Sequence, residues 1–550
     1  MSEVLTAAQM RAIEAAAIAS GAVTGLELME RAGAGVVAAV LEEWPEMALT
    51  SQRAVVLCGP GNNGGDGFVV ARLLAARGWA VEVYLYGDAG KLPPDARVNY
   101  ERWCEVGEVK RFLMRGFWPP NAEVVVDALF GIGLKRPIPA DTRAAFSYQQ
   151  KTSGTERRVA IDMPSGLCSD SGRPLGLSGK AALTVTFHRA KVGQFLASGP
   201  SMCGKIVVVD IGLPIATLSP IIKVMGHVNE AHHVQQALQV YATDLERQRA
   251  QKSVSIHLTA INGNDLFKRA DGAEEHARPA NKFSHGHALI VSGDHGHAGA
   301  ARMAARGALR IGAGLVTVAS PLGAMAENAA RLDAVMLRPV ADAAGLAEVL
   351  SDMRINALCI GPGLGVARAA ELLAVVLRGG VEPRPTVLDA DALTALAQDR
   401  GLFALLHDRC VLTPHGGEFA RLFPDIAANL AEPAMKGPAY SKVDATREAA
   451  KRAGCVVLYK GADTVIADPT GRCAINTAVY DRAAPWLATA GSGDVLAGFI
   501  TGLMARGFDP MQAAETAAWL HVECARSFGP GLIAEDLPEE LPKVFRALGV

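Results

Sequence analysis

Cys58–Gly67 reads CGPGNNGGDG and lies directly after an apolar run, Ala54–Cys58, and directly before a helical segment, Phe68–Arg77. Glycines let a backbone turn sharply and approach a ligand, while the N–H groups opening a helix favour anions. Gly59, Gly61 and Gly64 satisfy G-x-G-x-x-G, a short pattern that many strand-to-helix turns share. The next apolar run, VEVYLYG (Val81–Gly87), ends without the acidic residue that would hold a ribose, which argues against an ordinary dehydrogenase. A tight turn accounts for the glycines. It does not account for Asn62, Asn63 and Asp66 placed among them.

Further apolar or β-branched runs surround this stretch: Val81–Tyr86, Glu123–Ala128, Val159–Asp162, Leu183–Phe187 and Ile206–Asp210. Runs apolar throughout fit strands covered on both faces, and their alternation with helical segments predicts a doubly wound, mostly parallel sheet. Two of these strand ends are polar: Val124–Pro137, VVVDALFGIGLKRP, and Val159–Gly166, VAIDMPSG. Asp127 and Asp162 then arrive at the carboxyl edge, where open parallel sheets bind ligands. Either Asp alone is equally a helix or turn cap; three such loops on one edge predict a site.

The α/β pattern restarts at Ala288–Ser292 and continues through Leu315–Ala319, Ala357–Ile360, Thr386–Leu388, Val411–Thr413, Val456–Tyr459 and Thr464–Ala467. No internal repeat relates the halves, so the reading is two different domains, 1–214 and 256–550, joined by a connector at 215–255. The connector holds His227, His232, His233 and the charged run Arg247–Lys252. A polar helix or linker suits it better than a metal site, since no partner ligands accompany the histidines.

In the second half, Leu487–Gly498 reads LATAGSGDVLAG. Its glycines free Gly491–Gly493 to wrap an anion at the start of an apolar helix, with Asp494 in the first turn. There Asp494 can take the proton of a hydroxyl attacking phosphorus. The alternative is an Asp complementing a helix dipole. Upstream, Tyr459–Ile466 (YKGADTVI) supplies a basic residue and a glycine turn for phosphates, Ile360–Gly365 (IGPGLG) a glycine-rich strand end, and Leu412–Glu418 (LTPHGGE) a loop histidine, His415. No G-x-x-x-x-G-K-[ST] P-loop occurs, and neither G-x-S-x-G nor H-E-x-x-H favours a hydrolase.

The 550 residues exceed one ordinary domain of about 100–200. A net charge of −2 with 20% charged residues gives no footprint for nucleic acid or an anionic membrane. The nine cysteines contain no Cys-x-x-Cys and suit reduced, buried thiols in a cytoplasmic protein. No signal peptide or spanning stretch is legible.

LTAAQMRAIE, LMERAG, GPGNNGGDG, DALFGIGLKRP and DMPSGL together resemble the NAD(P)H-hydrate epimerases over roughly residues 1–214. NKFSHGHALIVSG, HAGAARMAA, LDADALTAL, TPHGGE and GSGD resemble the NAD(P)H-hydrate dehydratases, ribokinase-like relatives of sugar and vitamin kinases, over roughly 256–550. The resemblance implies a Rossmann-like domain followed by a ribokinase-like one. It implies substrate contacts from Asn62, Asn63, Gly64, Gly65 and Asp66, from Gly131, Ile132, Gly133, Leu134, Lys135, Arg136 and Pro137, and from Asp162 as acid–base. Potassium would sit on Asn63, Asp127 and Ser165. In the second domain it implies substrate contacts from Ala300, Gly363, His415 and Asp494. Nucleotide contacts would come from Lys460, Gly461, Ala462, Asp463, Thr464 and Gly493, with magnesium accompanying ADP or ATP. The substrates would be NADHX and NADPHX, the assembly a homo-oligomer. Three motifs depart from the family: GDHGHAGA stands for GSxGYTGA, DADAL for DPDAL and TPHGGE for TPHPGE. A ribokinase-like small-molecule kinase, with a non-catalytic N-terminal binding module, is the competing reading.

Overall fold

A computed structural model describes residues 2–112, 122–138, 157–213, 222–225, 282–378 and 383–549. It falls into two compact units. One comprises Glu3–Ile222 with Leu430–Lys442; the other comprises Lys223–Asn429 and Val443–Val550 together with Met1–Ser2.

The first unit contains β1 (Ser2–Leu5), β2 (Arg53–Cys58), β3 (Ala80–Leu85), β4 (Val109–Arg111), β5 (Val124–Ala128), β6 (Arg157–Ile161), β7 (Leu183–Phe187), β8 (Ala190–Lys191) and β9 (Lys205–Val209). Seven of these form one sheet in the order β4-β3-β2-β5-β6-β7-β9, every pairing parallel. The reversal of direction from β2 outwards gives the doubly wound topology and opens the crevice beside the ends of β2 and β5. Side chains alternate between two apolar layers: Val56, Cys58, Val126 and Ile161 join one core, Val55 and Leu57 the other. Helices α1 (Ala7–Ala19), α2 (Gly25–Glu43), α3 (Asn62–Ala75) and α4 (Pro94–Cys104) belong to this unit. Both α1 and α2 open with a reciprocal cap, Thr6 with Gln9 and Thr24 with Glu27.

One boundary differs instructively from the sequence reading. The stretch predicted as a loop before Phe68 is already helix from Asn62, so Gly64, Gly65 and Gly67 lie inside α3. A β-carbon at Gly64 would stand 2.0 Å from the Gly59 carbonyl oxygen, and one at Gly67 2.7 Å from the Ala128 methyl. Close packing on β2 and β5 recovers what glycine costs a helix. In the predicted connector, Ile222–Met225 forms a strand, β10, in place of a helix or linker. Its other residues, including the three histidines and Arg247–Lys252, lie outside the described residues.

The second unit carries β11 (His287–Val291), β12 (Leu315–Ser320), β13 (Met336–Pro339), β14 (Ala357–Ile360), β15 (Thr386–Leu388), β16 (Cys410–Leu412), β17 (Val456–Tyr459), β18 (Asp463–Ala467) and β19 (Cys473–Thr477). They run in the order β13-β12-β11-β14-β15-β16-β17-β18-β19. Pairings are parallel as far as β17, and β18 and β19 add antiparallel strands. Helices α5 (Gly299–Arg310), α6 (Ser492–Ala505) and α7 (Pro510–Phe528) bury an alanine-rich core that includes Ala304, Ala308, Ala497 and Ala517. Small residues bring α5 and α6 close: a β-carbon at Gly498 would lie 2.1 Å from the Ala304 carbonyl oxygen. No disulfide joins the nine cysteines, and eight of them are buried. Among the described residues no helix is long and apolar enough to cross a membrane.

Candidate active sites

In the first unit three strand ends converge with the start of α3. Asp127, the fourth residue of β5, is fully buried. Its carboxylate accepts the Ser165 hydroxyl (2.6 Å) and the Ser165 N–H (3.1 Å), while the same hydroxyl oxygen accepts the Phe130 N–H (2.9 Å). Asp162 follows β6 directly in the left-handed region, φ +66°, a strained value for a residue with a side chain. Asp162 Oδ1 accepts Lys191 Nζ and the Thr186 hydroxyl, both at 2.9 Å, and the Gln194 amide holds its carbonyl oxygen at 3.1 Å. Lys191 is wholly buried and also donates to Thr186 Oγ1 and the Arg189 carbonyl. The pairing of Leu5 in β1 with Lys191 in β8 fixes that segment.

Gly131 is where these pieces meet. A β-carbon there would stand 2.8 Å from Asn63 Oδ1 and 3.4 Å from Asp162 Oδ2. Asn63, Gly131 and Asp162 are therefore gathered, and Asp127 pairs with Ser165. Asn62, Gly133, Lys135 and Arg136 are exposed around them. The Ile132 carbonyl accepts Arg11 of α1 at 3.4 Å, Leu134 packs against Cys168, Leu175 and Ala439, and Pro137 lies beside Gly176.

Two acidic neighbours complete the field. Burial, then the Asp162 charge, pushes Glu14 of α1 up to about 7. Burial, Asp162 and Glu14 push Asp66 well above the usual carboxylate range. Glu14 sits in the quoted LTAAQMRAIE motif, but nothing in its spacing along α1 announced that role. Lys191 and Thr186 were missed as well, because they follow the last recognised motif.

The second unit assembles another acidic centre. Gly491 caps α6 in the left-handed region, φ +88°, and Asp494 lies in the first turn. Burial, then the Asp389 charge, raises the Asp494 carboxyl to about 6, with Lys460 opposing. Lys460 Nζ donates to Asp389 Oδ1 at 2.8 Å and stands 3.9 Å from Glu418 Oε2. Burial works against its ammonium, yet Asp389, Glu418 and Asp494 carry it above the ordinary lysine value. The Thr413 hydroxyl donates to the same Asp389 oxygen at 2.8 Å. A β-carbon on Gly493 would lie 3.4 Å from Lys460 Nζ. His521 of α7 is pushed down to about 4 by burial, so its neutral ring donates to the Ser492 carbonyl (2.9 Å) and steadies the glycine turn.

The remaining predicted residues divide. Gly363 lies against Ala300, whose methyl would be 3.3 Å from a β-carbon at 363. His415 caps the helix Gly416–Leu422: its Nδ1 accepts the Gly417 N–H at 3.0 Å, and Glu418 accepts the His415 N–H at 2.8 Å. Thr464 spends its hydroxyl on Gly461, accepting the N–H (3.1 Å) and donating to the carbonyl (2.8 Å). Ala462 passes its carbonyl to the Ala478 N–H, and Asp463 opens β18. Asp389 lies in LDADALTAL and Glu418 in LTPHGGE, but the spacing of those motifs alone assigns neither a role. Ala390 beside Asp389 adopts φ +49°, closed to proline, so the DADAL departure is visible in the backbone.

The NAD(P)H-hydrate dehydratase family profile matches residues 288–543, and that of the YjeF-related protein N-terminus matches residues 25–193. A bifunctional NAD(P)H-hydrate repair enzyme of Moorella thermoacetica is 34% identical over 564 aligned positions, spanning 99% of this chain and 97% of its own. An NAD(P)H-hydrate epimerase of Rhodobacter capsulatus is 48% identical over 223 positions, 39% of this chain and all of its own. The ADP/ATP-dependent NAD(P)H-hydrate dehydratase of Bacillus subtilis, crystallised with ATP and magnesium, aligns at 27% identity and a TM-score of 0.40 over 50% of this chain and 93% of its own. On the full-length likeness, the chain belongs to the family of bifunctional NAD(P)H-hydrate repair enzymes.

Proposed function

We propose that the first unit interconverts the two epimers of C6-hydrated NADH and NADPH, and that the second dehydrates the (6S) epimer using ADP or ATP. The observation that carries this is the pair of separate acidic centres, one on Asp162 and one on Asp494, each beside a glycine-lined helix start.

Epimerisation needs the C6 hydroxyl to leave and return on the other face. A protonated carboxyl gives a proton to that hydroxyl, the ring nitrogen forms C=N⁺ as water departs, and water re-adds while a carboxylate takes its proton. Asp162 is assigned the acid–base role, oriented by Lys191 and Thr186. Glu14, half-protonated near neutrality, is the second carboxyl in the same field. Asn63, Asp127 and Ser165 suit potassium by the oxygen chemistry of the set: a carboxylate, a hydroxyl and an amide whose Oδ1 could serve as a ligand. Bound there, the ion would supply positive charge for the substrate's phosphates.

For dehydration, Asp494 takes the C6 hydroxyl proton as the oxygen attacks the terminal phosphorus. The C6–O–P ester then breaks as the ring nitrogen expels phosphate, and loss of a C5 proton restores the reduced ring. AMP or ADP is the other product. The amides of Gly491–Gly493 and Lys460 would receive the phosphates. Magnesium bound to phosphates asks for one or two carboxylates, and Asp389 and Asp494 stand at this place. A stable phosphoester product would favour the small-molecule kinase; inorganic phosphate with recovered NADH absorbance supports dehydration. The test is incubation with mixed NADHX epimers, with and without ADP. ADP-dependent recovery beyond half of the mixture, faster than spontaneous epimerisation, requires both activities; none at all sinks the proposal. A homo-oligomeric, cytoplasmic enzyme completes this reading.

A further inference from the structure

Leu430–Lys442 is continuous in sequence with the second unit but packs as part of the first. Its anchor is Arg173, whose guanidinium donates to the Tyr440 carbonyl at 3.1 Å and to the Glu432 carbonyl. Two arms of one side chain thus hold carbonyls eight residues apart, which pins the segment at both ends. Between them, the Gly437 N–H donates to the Lys135 carbonyl at 3.1 Å, and the Ala439 N–H points at Cys168 Sγ, 3.4 Å away. Ala439 and Ala434 enter a small apolar cluster with Leu134, Cys168 and Leu175. A β-carbon at Gly437 would stand 2.4 Å from the Leu134 carbonyl oxygen, so the two backbones touch.

Leu134 and Lys135 belong to Gly131–Pro137, the loop to which the reading above gives the epimerase substrate. We infer that Leu430–Lys442 is a brace that fixes this loop, with Arg173 as its positioning residue. The inference rests on that reading of the loop. Most loops are held by their own flanking strands; this one is also clamped from a distant point in sequence, and its hydrogen-bonded and apolar contacts fall on the residues next to the glycines of the site. A brace of this kind acts on affinity: it removes loop conformations that would otherwise have to be surrendered when substrate binds. It touches neither Asp162 nor the reacting carbon, so the chemical step is left alone.

The experiment measures epimerase kcat and KM, and dehydration of purified (6S) substrate, in the full chain and in Arg173→Ala, Arg173→Lys and Gly437→Ala. Arg173→Ala frees both ends of the segment, and Gly437→Ala forces it off Leu134. Expected is an epimerase KM raised about five- to tenfold in both, kcat within about twofold, partial recovery in Arg173→Lys, and unchanged dehydration. An unchanged KM in both, with epimerisation intact, overturns the brace and leaves the epimerase reading standing. Parallel loss of both activities in both variants also overturns it, since the contact would then serve folding alone. Absence of epimerisation in the unaltered chain would sink the underlying reading instead.

Discussion

Asp162 and Asp494 each share a site with an enclosed lysine, but only Asp162 is bonded to it. Lys191 donates directly to Asp162, whereas Lys460 is claimed by Asp389 and leaves Asp494 with a carboxyl raised to about 6. The first arrangement orients Asp162 through a strained backbone and three hydrogen-bonding groups, Lys191 and Thr186 on the carboxylate and Gln194 on the main-chain carbonyl. The second leaves a base free to turn towards a hydroxyl and gives the lysine a separate task. One chain therefore solves two proton-transfer problems with the same residue types, and the wiring between them carries the difference.

The largest effect that would test this contrast is Asp494→Asn. Single-turnover dehydration should fall about 10²–10⁴-fold while ADP affinity by calorimetry survives and epimerisation is untouched. Lost ADP binding would recast Asp494 as a structural or metal-organising residue. Next, Lys191→Met removes the orienting partner of Asp162, and epimerisation should drop about 10²-fold because a base displaced by about an ångström loses that much. Dehydration by the same variant should persist; a matched loss of both would make Lys191 a folding residue.

The pH profile sharpens the comparison further. Asp494 must be ionised to act, and its value is raised, so dehydration should decline as pH falls through about 6. Asp389→Asn removes the neighbouring negative charge, which favours ionised Asp494 and should carry that acid limb to lower pH by about one unit. An unmoved limb would assign it to another group. The smallest expected change is in Glu14→Gln. Glu14 titrates at about 7, so epimerisation should weaken as pH rises through neutrality, and the variant should lose that limb with a rate change of roughly threefold.

Much of this was legible beforehand, and the reason is periodicity. Apart from Asp127, β5, β7, β14, β15 and β17 consist of apolar, aromatic or β-branched residues, so their positions follow from composition within a residue or two. A short edge strand such as β4, VKR, carries no such signal, since two of its three side chains, Lys110 and Arg111, are exposed and polar. The start of α3 was misread because glycine ordinarily argues against helix, and only the approach of Gly59 and Ala128 explains it. Asp162 and Asp494 stood at recognisable strand and helix ends. Asp389 also follows a recognisable strand, β15, yet its motif alone assigns it no role; Lys191 and Glu14 stand at no such end, and no local pattern encodes a partner far away in sequence. The placement of Leu430–Lys442 in the first unit was unreadable for the same reason.

The glycines themselves divide into two populations that a saturation mutagenesis library would tell apart. Gly64, Gly67 and Gly131 face atoms within 3 Å of a would-be β-carbon, so alanine there should cost solubility and melting temperature together. Gly61, which caps α3, and Gly133, in the loop of Gly131, face nothing within 4 Å, and Gly61 has an extended backbone, φ −121°, open to any residue. If selection for activity rejects alanine at these two while selection for folded protein tolerates it, the empty space beside them is the outline of the substrate, recorded in the residues the chain declines to place there.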